Sequence, residues 1–69
     1  EDREKQIVEQ LEAGRHTIAE MVPVMYAAVD KRLHPAAARS VFAHVEHLVE
    51  TGRVTCEGEP KLSSSYSLA

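Results

Sequence analysis

The sequence predicts a mainly α fold with a small β-hairpin, the winged helix-turn-helix, as a single domain over residues 1–69. Three observations predict it. Apolar residues recur at helical spacing in three successive segments. Capping and stop signals separate those segments. After Gly52 the apolar period drops to two, on both sides of the turn residues Gly58-Glu59-Pro60.

The first helix is expected over 3–13. Ile7, Val8 and Leu11 share one side of it, and Glu4, Lys5, Glu9 and Glu12 solvate the other. The charged run Glu1 to Lys5 suits a solvated helix start, where acidic side chains favour the helix dipole. Gly14 is placed to end the helix in a left-handed conformation. Arg15 and His16 leave room only for a connector or a very short strand. Thr17-Ile18-Ala19-Glu20 then reads as a capping box, in which the Thr hydroxyl caps a backbone amide and Glu20 reaches back. The second helix is expected over 18–29, with Ile18, Met21, Val22, Met25 and Val29 on one face. Pro23 removes a hydrogen bond and crowds the preceding turn, so a kink or tightened first turn is expected, with the helix resuming through Tyr26.

The third helix is expected over 35–51. Leu33-His34-Pro35 gives a non-helical lead-in with proline at the first helical position, where its missing N–H does no harm. Ala37, Val41, Val45 and Leu48 form the core stripe, Ala38, Phe42 and Val49 an apolar shoulder, and Gly52 the stop. The hairpin occupies 53–69, with Val54 and Cys56 pointing inward and Tyr66 and Leu68 on one face. A third helix that runs directly into a strand makes the second and third helices a helix-turn-helix and the hairpin its wing. A three-helix bundle with a ragged tail is the competing arrangement, and the alternation on both sides of the turn argues against it.

Sixty-nine residues hold one domain and bury only about 60% of the surface their unfolded chain exposes. A hydrophobic fraction of 43% argues against disorder, and three aromatic residues leave little with which to enclose a small-molecule pocket. The single Cys56 excludes an internal disulfide and a thiolate metal cluster, and fits a reducing, cytoplasmic setting. No apolar run approaches the roughly 18 residues of a membrane span, and no signal peptide opens the chain. The net charge of −3 argues against autonomous nucleic-acid binding, which draws on a basic surplus.

The candidate residues carry the same message. A DNA-reading third helix presents base-reading side chains, yet the solvent face here is Arg39, Ala43, Glu46 and Glu50. The wing sets Lys61 against Glu57 and Glu59, so phosphate contacts are few. His44 and His47 stand at a spacing that can chelate a metal, but the sequence puts no carboxylate or third histidine evidently beside them. Packing or a hydrogen bond at an interface is the simpler account of His44. Cys56 reads as a small buried hydrophobe without an activating histidine, Ser63 to Ser65 as solvated, and Met21 with Met25 as core. Val24, Phe42 and Val49 lie outside the tightest stripes of their helices and are expected to form a docking face for a partner domain.

The order Arg3-Glu4, Ile7, Leu11, Gly14, Thr17-Ile18, Glu20-Met21-Val22, Tyr26 is followed by Leu33, Ala37-Ala38, Ser40-Val41, Ala43-His44-Val45, Leu48 and Gly52-Arg53-Val54. It resembles the C-terminal winged-helix domain of lactamase-β-2-like proteins, a branch of the metallo-β-lactamase-fold hydrolases. The resemblance runs from Arg3 to Val54 and is sharpest over Ala37 to Val54, where Val45 stands in place of the usual leucine. It implies a preceding catalytic domain that binds zinc through an H-x-H-x-D-H motif and hydrolyses an ester, thioester or phosphodiester. None of that motif is in this chain, so no catalytic or metal-ligating residue carries over and no cofactor is expected here. The resemblance further implies packing against the catalytic domain beside its active-site entrance and, in some members, contact with RNA through the parent protein. Ser40, His44 and Arg53 match its pattern. Together the two readings leave Arg39, Phe42, His44, His47, Val49 and Arg53 as candidate interface or substrate-facing residues.

Two functions remain open. One is a non-catalytic accessory domain that docks on the catalytic domain and shapes substrate access. The other is the DNA-binding module of a transcription regulator, which acidic charge and the resemblance both disfavour. A docking face separated from its partner can also pair with itself, so homodimerisation of the isolated domain is a third outcome.

Overall fold

The computed structural model describes residues 3–69; Glu1 and Asp2, the start of the expected helix opening, lie outside them. Helix α1 spans Arg3–Glu12, with Ile7 and Leu11 buried and Val8 half-buried. It ends in a Schellman motif. Gly14 has φ +92°, and the Arg15 and Gly14 amides bond back to the Gln10 and Leu11 carbonyls at 3.0 and 3.1 Å.

Helix α2 spans Ile18–Met25 and opens on the capping box. The Glu20 amide donates to Thr17 Oγ1 at 3.2 Å, while the Thr17 and His16 amides donate to Glu20 Oε1 at 3.1 and 3.0 Å. The helix does not run on to residue 29. It contains Pro23 but leaves helical geometry at Tyr26, whose φ of −119° and ψ of 35° end it. The Pro23 ring lacks the N–H that would hold the Ala19 carbonyl, so the second half of this short helix is weakly tied. The chain turns instead through a Val29 N–H to Tyr26 carbonyl bond of 2.9 Å. A 3₁₀ turn over Lys31–Leu33 follows, capped by the Asp30 carboxylate on the Arg32 amide.

Helix α3 spans His34–Glu50, beginning one residue before the expected proline start, and buries Ala37, Val41, Val45 and Leu48 along one stripe. It closes like α1: Gly52 has φ +80°, and the Arg53 amide bonds to the Leu48 carbonyl at 3.0 Å. Strand β1, Val54–Cys56, pairs antiparallel with β2, Tyr66–Leu68, in the register Val54↔Leu68 and Cys56↔Tyr66. The connector after α1 joins this sheet at its far edge. Thr17 bridges Ser65, and the Tyr66 amide donates to the His16 carbonyl at 2.8 Å.

The three helices and the hairpin enclose one core of Ile7, Leu11, Ile18, Met21, Val22, Ala37, Val41, Val45, Leu48, Val54 and Tyr66. Tyr66 fills the space under the wing, and its hydroxyl donates to the Lys61 carbonyl at 2.6 Å. Leu68 shares the Tyr66 face as expected from alternation, but at the end of its strand it is 39% exposed. Cys56 is only half-buried, because the core thins toward the wing. Among the described residues no helix is long and apolar enough to cross a membrane.

Candidate functional site

The helix-turn-helix corner is built by a histidine that its sequence position does not advertise. The His34 ring Nε2 lies 3.3 Å from the Tyr26 carbonyl and 3.2 Å from the Val29 carbonyl. With its proton on Nε2 the imidazole donates into both, tying the first residue of α3 to the turn that leaves α2. Asp30 braces the same turn. Its Oδ2 holds the Arg32 guanidinium at 3.0 Å, and the Arg32 side chain and amide together keep the Asp30 carboxyl below the usual range.

This corner opens a shallow groove between α2 and the start of α3, lined by Ala19, Val22, Pro23, Pro35 and Ala38 with Lys31 and His34 at its edge. Two large aliphatic side chains stand in solvent on the same stretch of chain, Val24 at 45% and Leu33 at 58% exposure. The sequence expectation for a docking face is therefore divided by the structure. Val24 is exposed as anticipated, whereas Phe42 and Val49 are half-buried and pack against the core. Leu33 was not anticipated, since a residue before a helix-starting proline carries no periodic signal.

The remaining candidates scatter. Arg39 is exposed on α3 with Ala43, Glu46 and Glu50, and Arg53 is exposed beyond the Gly52 stop. Ser40 is exposed. His44 and His47 do meet a carboxylate, contrary to the reading of α3 by itself. Glu4 reaches across from α1, placing Oε2 at 2.8 Å from His47 Nδ1 and 3.6 Å from His44 Nδ1. The three side chains bind α1 to α3 at the surface. They do not make a metal centre: no group of three or more His, Cys, Asp or Glu among the described residues is arranged to hold an ion.

The wing offers a polar notch formed by Thr55, Cys56, Glu57, Ser65 and Ser67. There Thr55 Oγ1 donates to the Ser67 carbonyl at 3.4 Å. Ser64 closes the wing loop on itself, donating to the Glu59 carbonyl and accepting from the Lys61 amide, each at 3.0 Å. Among the described residues no side-chain base is hydrogen-bonded to these hydroxyls.

A family model described as the beta-lactamase associated winged helix domain covers residues 17–62, from the cap of α2 into the wing loop. No curated protein matches the chain, and no solved structure does.

Proposed function

The chain belongs to the beta-lactamase associated winged helix domain family, and from that membership we propose that it is the non-catalytic accessory domain of a metallo-β-lactamase-fold hydrolase. It docks on the catalytic domain, which holds the zinc, and shapes the approach of substrate. The observation that carries this reading is the family match over the helix-turn-helix and wing. The surface supports it: on α3 Arg39 shares its exposed face with Ala43, Glu46 and Glu50, where a DNA reader sets several donors against base edges. Contact with RNA, where it occurs, runs through the parent protein rather than through this acidic domain.

The test is to read the gene upstream of the codon for Glu1. A preceding domain of roughly 200 residues containing H-x-H-x-D-H is the expected result. An unrelated effector domain, or only a start codon, would move the DNA-binding regulator into first place. The regulator reading has its own check in a duplex-binding titration with Arg39→Glu and Lys61→Glu combined. Salt-dependent binding by the unaltered chain that this double variant abolishes would favour it.

A further inference from the structure

We propose that the outer edge of β1 pairs antiparallel with the same edge of a second copy of this chain, about a two-fold axis at Thr55. The wings of the two copies then join into one continuous sheet. The interface goes beyond the accessory-domain reading and does not rest on it, since it uses only residues 53–57 and the register of the wing.

Register decides which main-chain groups face outward. The Ala69 amide bonds the Arg53 carbonyl at 3.1 Å, so Arg53 and Ala69 form a hydrogen-bonded pair. Such pairs alternate along an antiparallel ladder, which makes Thr55 with Ser67 the next one. The amides and carbonyls of Val54 and Cys56 are thereby turned away from β2. On β2 the same alternation sends the Tyr66 amide to the His16 carbonyl, so the connector after α1 covers the outer side of that strand. Among the described residues no strand covers the outer side of β1. Its unpaired main-chain groups are a template for another strand.

Charge selects the occupant. Edge strands are blunted by proline, by a bulge or by charge, and β1 has neither proline nor bulge. It is flanked instead by Arg53 and Glu57, both exposed and neither in an ion pair among the described residues. The segment Arg53-Val54-Thr55-Cys56-Glu57 is complementary to itself when reversed. Antiparallel pairing centred on Thr55 sets Arg53 opposite the second copy's Glu57, and symmetry repeats the contact. Val54 and the second copy's Cys56 then exchange main-chain hydrogen bonds, and the two Thr55 side chains meet on the solvent face as a favourable cross-strand pair. In-register parallel pairing would set like charges opposite each other. A nucleic-acid strand gains little from an edge that offers one cation beside one carboxylate. The edge is short, so the pairing belongs with the weak interfaces that bury less than about 1,200 Å². The net charge of −3 repels copies at long range. At about 0.15 M salt that repulsion is screened beyond about 8 Å, and the contacts decide.

The test follows amide exchange and resonance shifts in the full chain as its concentration rises from about 50 μM to about 2 mM, a span suited to weak association. Exchange at Val54 and Cys56 is expected to slow severalfold, while the Thr55 amide, which faces β2, changes least. In a Cys56→Ser background, Thr55→Cys is expected to oxidise to a disulfide-linked dimer about tenfold faster than Glu9→Cys on the exposed face of α1. Residues opposed in a non-hydrogen-bonded pair lie about 4.5 Å apart at Cα, within disulfide reach. Arg53→Glu is expected to weaken association about tenfold, and Arg53→Glu combined with Glu57→Arg to restore it. Exchange independent of concentration, equal oxidation at Thr55 and Glu9, no rescue by the charge swap, or shifts confined to the groove between α2 and α3 would each overturn the proposal. The exchange measurement uses the unaltered chain, so it stays decisive even if a variant fails to fold.

Discussion

Glu20 accepts backbone amides from Thr17 and His16, and these bonds, the Thr17 amide foremost, hold its carboxyl below the usual carboxylate range. The sign of the pH effect follows. A carboxyl whose pKa is depressed by folding stabilises the fold above its unfolded pKa of about 4.3 and loses that contribution as the pH falls through the folded value. The difference in melting temperature between the unaltered chain and Glu20→Ala is therefore expected to be present at neutral pH and to shrink as the pH falls through the folded value. A difference that stays constant with pH would show that the charge is irrelevant to the cap. Thr17→Ala removes the other half of the box and is expected to cost about 1 kcal/mol in a denaturant melt. The residues of this box were legible in the sequence because they stand three apart. Glu4 with His47 was not, since 43 positions separate them and only the packing of α1 on α3 brings them together. His34 was hidden for another reason. Its partners are main-chain carbonyls, and no side-chain pattern records them.

At the scale of the element, the end of α2 shows where periodicity misleads. Val29 continues the apolar spacing of Ile18, Met21, Val22 and Met25, which is why the sequence predicts a helix to residue 29. The structure ends the helix at Met25 and still half-buries Val29, because the turn carries it back toward the domain. Periodicity records burial, and a turn can supply burial as well as a helix can. The wing has the opposite character. Its alternation correctly placed Val54 and Tyr66 inside, while the closure of its loop depends on the Tyr66 hydroxyl bonding the Lys61 carbonyl. Burial, with a smaller contribution from the nearby Cys56, pushes the Tyr66 hydroxyl above its ordinary pKa. A raised pKa means stability that is complete below the unfolded value of about 10 and is lost as the pH rises through the folded one. Tyr66→Phe is expected to cost about 0.5–1.5 kcal/mol at neutral pH and to flatten the alkaline fall in stability. Amide exchange is expected to quicken in the loop 57–65 while the helices keep their protection. An unchanged loop would mean that Ser64, with its own bonds to Glu59 and Lys61, closes the wing alone.

For the whole molecule, the sequence made the interior easier to read than the surface. The stripe Ala37, Val41, Val45 and Leu48 lies in the core as its spacing requires, because interior positions on a helix must repeat. A docking surface has no such period, so Leu33 escaped notice, and Phe42 and Val49 pack against the core of their own domain. That difference can be measured. Leu48 is completely buried and touches a core that has little to spare, and truncation to Ala leaves a cavity worth about 2–5 kcal/mol. A domain of this length holds a total of about 3–10 kcal/mol. Leu48→Ala is therefore expected to remove a large share of the stability, about 2–5 kcal/mol in a denaturant melt followed by circular dichroism. Leu33→Ala, at a side chain 58% exposed, is expected to change the melt by no more than about 0.5 kcal/mol. If Leu33 serves a partner, its truncation should cost the full-length protein far more in domain docking than it costs this chain in stability. Equal losses in both measurements would make it an ordinary structural residue.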